Sequence, residues 1–396
     1  MSHTKSKTPF DTVIIRLGGE IGIKSAWTRR TYERRLIQNI KATLKHHNID
    51  FEAVYRQQGR IFIKTGQAQG SVKKLVRVFG ISSLSPASQA TSKLEDITLQ
   101  SLSLTKQKLN EGTSFAVKCK RIGTHPYTSR DICQHIGQKM LEAFPKLGLK
   151  VDLTNPDISI GVEIRQEDAY IYTDTIAASD GFPVGTQPNV VGLIKPDLNS
   201  PVACWLTMKR GCPLTPVYFS ENRNKKTIRL VKSICKALFE WSIGHPTKLY
   251  IIPHDQNLIT LKQECPTHLV SVIDKRLIYS IAEQVTEKER AEAIVTGETL
   301  REKPRQTLRR FKLQDKAMQN YPIHRPLSGL TRDEIKNLAQ KIRIQVALTT
   351  EPKKREAIKP REAILPTLKE VEAAEDKLNI REMINTTLQK VEAVTI

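Results

Sequence analysis

From Val190 onward the chain alternates short apolar runs with longer stretches of helical period, and this alternation limits the fold more than any other feature. VVGLI is followed by PVACWLTMKRG, and LTPVYF by a basic stretch that predicts a helix from about Thr227 to Ile243; KLYIIP is followed by HLVSVIDKRLIYSIAEQV, and then comes AEAIVTG. Continuous apolar runs suit strands buried on both faces. Strands separated by helices must return across the sheet, so the expectation is a parallel sheet with crossover helices.

The preceding half has another texture. TVIIRLGGE reads as a strand ending in a Gly18-Gly19 turn, and Ser25 to about His46 as a helix that buries Tyr32, Leu36, Ile40 and Leu44 at i, i+4 spacing. RIFIK alternates as a strand, and VKKLVRVFG predicts a helix closed by Gly80. FAVKCKR sets Phe115, Val117 and Cys119 on one face and Ala116, Lys118 and Lys120 on the other. ISIGVEIR and AYIYTD predict a hairpin, and Ser129, as N-cap, opens a helix running to about Leu147. DGFPVGTQPN, residues 180 to 189, is the linker candidate.

The 63 Lys and Arg exceed the 41 Asp and Glu by 22, in a chain that is 39% hydrophobic and therefore expected to fold; the balance points to a polyanionic partner. Residues 1 to 120 hold 21 Lys and Arg against 8 Asp and Glu, and residues 301 to 361 hold 17 against 6. Clustered cations on helix and strand faces can neutralise phosphates, which makes Arg29, Arg30, Arg34, Arg35, Lys118, Lys120, Arg121 and Arg130 the RNA-binding candidates. Six cysteines (119, 133, 204, 212, 235 and 265) contain no CxxC pair, which argues against a zinc ribbon or a redox pair and offers no metal site. No segment approaches the roughly 18 apolar residues of a membrane span, so a soluble, cytoplasmic protein is expected.

Nine segments occur in a fixed order: GGEIGIKSAWTRRTYERRLIQNI, VFGISSLSPAS, FAVKCKR with TSRDICQHIG, VDLTNPDISIGVEIRQEDAYIYTD, GFPVGTQ, SPVACWLTMKRG, EAIVTGETL, RQTL and IHRPLSGL. Through them the chain resembles the tRNA 4-thiouridine synthetases, or ThiI-like tRNA sulfurtransferases, over nearly its whole length. The resemblance implies an α+β ferredoxin-like domain over 1–76, a THUMP RNA-binding domain over 77–178, a linker over 179–189, a Rossmann-like α/β PP-loop domain (adenine nucleotide alpha hydrolase-like) over 190–365 and a C-terminal helical tail over 366–396. It also implies tRNA as partner, ATP and Mg2+ as cofactors, a homodimer, and adenylation of a uridine before sulfur replaces its oxygen. The length resembles members without a rhodanese domain.

Carried over residue by residue, the family's nucleotide positions are Leu193, Ile194, Lys195, Asn199, Ser200, Tyr218, Phe219, Lys275, Gly297 and Gln306. Three chemical requirements of the family depart here. Its SGGxDS phosphate loop, whose glycines let backbone N–H groups approach pyrophosphate, is replaced by Lys195-Pro196-Asp197-Leu198-Asn199-Ser200. Pro196 lacks an amide donor, Asp197 brings negative charge, Asn199 stands in place of a carboxylate, and Ser200-Pro201 reads as an N-cap and N1 pair. Arg355 stands near the family's persulfide Cys, and Ser271-Val272-Ile273-Asp274 occupies the place where rhodanese-lacking relatives carry a cluster-binding CxxC. The expected function is a tRNA-binding relative without catalysis, acting alone or with a catalytic partner or sulfur carrier. The alternative is an active ATP-dependent 4-thiouridine synthase with an atypical site; a third reading recruits Asp197 or His254, the latter at a strand end, as acid or base.

Overall fold

The computed structural model describes residues 9–222, 224–300, 304–344 and 366–396, the side chains of 304–307 excepted. The chain divides after Pro183 into two compact units. In the first, the elements are β1 (Thr12–Leu17), α1 (Gly19–Gly22), α2 (Ala26–His46), β2 (Ala53–Gln57), β3 (Arg60–Lys64), α3 (Ala68–Leu75), β4 (Ile81–Thr91), α4 (Leu94–Thr105), β5 (Ser114–Ile122), α5 (Ser129–Ala143), β6 (Lys150–Val151), β7 (Ile158–Arg165), β8 (Asp168–Tyr172) and β9 (Ile176–Ala177). The strands form one sheet in the order β2-β3-β1-β4-β8-β7-β5-β6, with β9 also on β4.

Apolar residues on one face of these strands pack under the helices. Val13 and Ile15 of β1, Ile61 and Ile63 of β3, and Val162 and Ile164 of β7 share a core with Leu36, Ile40 and Leu44 of α2 and Ile132, Ile136 and Met140 of α5. On the opposite face Phe62 stacks on Tyr170 with ring centroids 4.5 Å apart, and the Tyr55 and Tyr170 hydroxyls are 3.0 Å apart. Fully buried Glu163 sits in the same layer and accepts from Arg16 (2.9 Å), Arg60 (3.2 Å) and Arg165 (2.8 Å). Three guanidiniums from β1, β3 and β7 thus converge on one carboxylate, linking strands distant in sequence.

Local expectations need three corrections here. Helix α5 is capped by Thr128, whose side chain accepts from Asp131 N while the Asp131 carboxylate accepts from Thr128 N, so Ser129 is its first residue and not its cap. It also ends at Ala143, short of Leu147. Gly80 does not close α3, which ends five residues earlier; at φ +97° it admits Pro183, whose Cγ lies 2.9 Å from where a Cβ would stand.

The second unit contains β10 (Val190–Leu193), α6 (Asn199–Lys209), β11 (Leu214–Ser220), α7 (Lys225–Phe239), β12 (Lys248–Pro253), α8 (Asp255–Glu264), α9 (Thr267–Lys288), β13 (Ile294–Val295), α10 (Pro304–Asp315), β14 (Ile323–His324), α11 (Arg332–Ile342), α12 (Leu368–Glu375), α13 (Ile380–Gln389) and β15 (Glu392–Thr395). Its sheet runs β14-β13-β10-β11-β12-β15 and is parallel except for β15, as the alternating pattern predicts. Helix α7 starts at Lys225, not Thr227, because the Asn224 side chain accepts from Lys226 N and Thr227 N; it stops at Phe239. Helix α8 has no counterpart in the sequence reading.

The tail beyond residue 366 is not purely helical. After α12 and α13 the chain extends, and β15 pairs antiparallel with β12 from Lys248↔Thr395 to Ile251↔Glu392. That pairing gives partners to an edge that would otherwise present unpaired backbone groups. Arg276, buried on α9, donates twice to Glu375 of α12 at 2.6 and 2.8 Å, tying the tail to the sheet-packing helix.

Candidate functional site

In a parallel α/β sheet the ligand crevice lies beyond the carboxyl ends of the strands, where helix N-termini point. Leu193 ends β10 there and Ile194 follows it, Tyr218 and Phe219 lie in neighbouring β11, and the Ile194 amide donates to Val217 O at 2.9 Å. Gly297, two residues beyond β13, runs so close to the start of α6 that a Cβ would stand 2.5 Å from Ser200 N and 2.7 Å from Asn199 C. Lys195, Asn199, Ser200 and Gly297 are therefore brought together at one strand-to-helix turn.

That turn is closed upon itself. The Ser200 amide donates to Asp197 Oδ1 at 2.9 Å, the Ser200 hydroxyl lies 2.8 Å from the same oxygen and 3.1 Å from Lys195 O, and the Lys195 amide donates to Ser200 Oγ at 2.8 Å. Asp197 thus meets a donor that the end of a helix would offer to an anion. Ser200 lies within the first turn of α6 and is not its cap, contrary to the sequence reading; the capping carboxylate is supplied three residues earlier.

Beside the turn lies a buried ionic network. Lys275 reaches Glu298 Oε1 at 3.3 Å and lies over the Tyr279 ring; burial pushes its pKa down, the Glu298 carboxylate opposes this and the Lys195 charge adds to it. Glu298 Oε2 accepts from Tyr279 Oη at 2.8 Å and Arg325 Nε at 3.0 Å, and Arg325 pairs with Asp315 through two contacts of 3.0 and 2.6 Å. Although burial raises the Glu298 pKa, Lys275, the Tyr279 hydroxyl and Arg325 more than offset it, so the carboxyl is held below its usual range.

His254 is 1% exposed and lies between Asp274 Oδ1 (2.7 Å from Nε2) and Asn257 Nδ2 (3.2 Å from Nδ1), the latter also donating to Thr387 of α13. Its imidazole joins α9 through Asp274 and α8 through Asn257, and Asn257 in turn reaches the tail. Both ring nitrogens are engaged and the ring is out of solvent. Asp197 is likewise committed to the turn. Gln306 has its side chain outside the described residues, as does all of Arg355.

Among the RNA-binding candidates, Arg30 and Arg34 lie on the exposed face of α2, and Lys118, Lys120 and Arg130 are exposed on β5 and α5. Arg29 turns instead to buried Glu33 at 2.9 Å, where Arg56 also binds. Arg35 is half-buried, and Arg121 donates to Gly123 O at 2.9 Å. Sequence reasoning omitted the cations of α7 from the site: Lys225, Arg229 and Lys236 recur along its exposed side. Among the described residues no group of His, Cys, Asp or Glu is arranged to hold a metal ion, and no helix is long and apolar enough to cross a membrane.

Family models match three stretches: a ThiI ferredoxin-like domain over residues 12–85, a THUMP domain over 91–174, and thiamine biosynthesis protein (ThiI) over 185–380. A probable tRNA sulfurtransferase of Methanosarcina mazei is 33% identical over 396 aligned positions, covering 98% of this chain and 96% of the relative. The chain belongs to the ThiI-like tRNA sulfurtransferase family. A probable tRNA sulfurtransferase of Sulfurisphaera tokodaii is 36% identical and covers 83% of this chain and 86% of its own. Among solved structures, a 4-thiouridine synthetase in complex with RNA and ATP aligns with a TM-score of 0.84 at 27% identity, covering 98% of this chain and all of that one. PH1313 of Pyrococcus horikoshii aligns with a TM-score of 0.66 at 29% identity, covering 84% and 99%.

A cysteine reacts with sulfur species as its thiolate. All six cysteines of this member lie within the described residues, and burial pushes every one of their thiols up, Cys119 to about 11 and Cys235 to about 12.

Proposed function

We propose that this sulfurtransferase-family protein binds tRNA and does not itself adenylate or thiolate it, holding the RNA for chemistry performed elsewhere. The observation that carries the reading is the self-closed turn before α6. There Asp197 accepts from the Ser200 amide at 2.9 Å, in the place where a phosphate loop would offer amides to pyrophosphate. Pro196 brings no N–H to that turn, and a carboxylate repels the anion that the turn would have to cradle. The residues present therefore do not fit a triphosphate bound in the usual manner. The raised thiols argue the same way for sulfur delivery.

The RNA half of the proposal rests on the THUMP match, on the relative solved with RNA, and on the exposed cations of α2, β5 and α5. The test combines unmodified tRNA, ATP, Mg2+ and sulfide with the purified protein, followed by AMP detection and nucleoside mass spectrometry, with binding titrated against salt. The expected result is binding that weakens steeply with salt, with a log–log slope of about −0.9 for each duplex phosphate neutralised, and neither AMP nor 4-thiouridine. AMP that forms only when tRNA is present would overturn the non-catalytic half, and would make Lys195 and Lys275 working nucleotide contacts. Failure to bind tRNA would overturn the other half.

A further inference from the structure

Helix α2 carries an aromatic side chain where its own pattern calls for a polar one. Its buried stripe contains Leu36, and Trp27 lies nine positions earlier, about two and a half turns, so it faces away from the core. Trp27 is 77% exposed, and Ile23 just before the helix is 86% exposed. Solvent exposure of an indole costs burial energy that a helix-surface polar residue would not forgo.

The neighbours of Trp27 on that face are cations. Arg30 and Arg34 follow at i+3 and i+7, and Lys41 and Lys45 continue the exposed side to the last turn. From Trp27 to Lys45 the stripe spans about 27 Å at 1.5 Å per residue. Acidic Glu33 does not interrupt it, being 2% exposed and committed to Arg29 and Arg56. A flat aromatic at the head of a positive track matches the two needs of a single strand: a surface for an unpaired base and charge for its phosphates. A protein surface that docked on Trp27 would have to answer a run of uncompensated arginines and lysines, which an RNA does without further adaptation.

We infer that Trp27 is a stacking platform for an unpaired base of bound RNA, with Arg30 and Arg34 holding the flanking phosphates. The inference rests on the RNA-binding reading above and adds to it which feature of the RNA is engaged. The chain itself supplies the reporter. Of its three tryptophans, Trp205 and Trp241 are 1% and 6% exposed, so RNA-dependent quenching of indole fluorescence reads Trp27.

The experiment titrates the full chain with a short unstructured oligouridine and with a blunt RNA duplex of equal length, recording both fluorescence and, by anisotropy of labelled RNA, affinity. Oligouridine is expected to quench the exposed indole and the duplex to bind without quenching. Trp27→Ala should weaken oligouridine binding about 5- to 160-fold, the span that corresponds to loss of one stacked base, while Trp27→Phe restores most of it. Leu99→Ala, removing another exposed apolar side chain (72% exposed), should change nothing. Arg30→Gln with Arg34→Gln should flatten the salt dependence. If both RNAs bind in a salt-sensitive manner but Trp27→Ala leaves affinity unchanged, the stacking role is wrong and RNA binding stands. If neither RNA nor tRNA binds, the underlying reading is wrong. A change of sedimentation mass in Trp27→Ala with unaltered RNA affinity would make the patch a protein contact and overturn the inference.

Discussion

Replacing Glu163 by Gln tests what ties the strands of the first unit together. The carboxylate is fully buried and accepts from Arg16, Arg60 and Arg165 at 2.9, 3.2 and 2.8 Å. Glutamine keeps the shape but removes the only negative charge in this group of four, leaving three guanidiniums facing one another. Removing one partner of a buried ion pair costs about 3–5 kcal/mol, because the remaining charge stays desolvated. Arg16 and Arg60 retain side-chain exposures of 14% and 20%, so water relieves part of that cost and the low end, about 3 kcal/mol, is expected. For a unit of this size, that corresponds to a fall in melting temperature of roughly 6–12 °C, read by calorimetry on the full chain. Acid provides a second arm. Burial raises the Glu163 pKa, but Arg60 and Arg16, with Arg165, overcome it and hold the group below its ordinary 4.5. A carboxyl whose native pKa lies below its unfolded one contributes fully above the unfolded value, and the contribution is lost as pH falls through the native value. The wild type should therefore lose stability from about pH 4.5 downward more steeply than Glu163→Gln. A variant within about 1 kcal/mol of wild type at neutral pH, or with the same acid sensitivity, would refute the argument.

Four further outcomes follow from the second unit. Gly297→Ala places a Cβ 2.5 Å from Ser200 N and should destabilise the unit by about 1–3 kcal/mol in thermal melts, since backbone atoms must move to admit it. Asp197→Gly should strengthen binding of inorganic pyrophosphate about 2- to 5-fold by removing a negative charge from the N-terminus of α6, as read by calorimetric titration; unchanged affinity would mean that the carboxylate does not close the site. Glu375→Ala strands buried Arg276 and should cost about 3 kcal/mol, with faster amide exchange in α12 and α13 as the local signature. Alkylation of the native protein at pH 8 should leave Cys204 and Cys235 unmodified, because burial holds both as thiols, and urea should release them.

Much of this architecture is legible in the sequence because it depends on periodicity. The runs VVGLI, LTPVYF and KLYIIP became β10, β11 and β12, and the turn at Gln166-Glu167 joins β7 to β8 in the register Arg165↔Asp168. What escaped depends on tertiary pairing. EAVT at the end of the chain is too short to announce a strand, and its partner, the edge of β12, lies more than 130 residues away in sequence. The closure of the turn before α6 was half legible: the charge of Asp197 could be read, but not that it would meet the Ser200 amide and so make Ser200 unnecessary as a cap. Trp27 is legible as a residue half a turn out of phase with Leu36 in the buried stripe of α2, but its exposure depends on no other element covering it.

The turn before α6 supplies its own hydrogen-bond partners, and this has a physical consequence for the fold. A helix N-terminus facing a ligand crevice carries amides that need an acceptor, and in a nucleotide-binding protein the ligand meets that need only when bound. Here Asp197 meets it for the Ser200 amide, and Ser200 ties the strand end at Lys195 to the first turn of α6. The close approach of Gly297 then packs against the start of α6. Once the helix start is self-sufficient, the sheet, the Lys275–Glu298–Arg325 network and the tail latched by Arg276 can persist as structure. If the first unit binds RNA as proposed, that role places no demand on the amides at the start of α6.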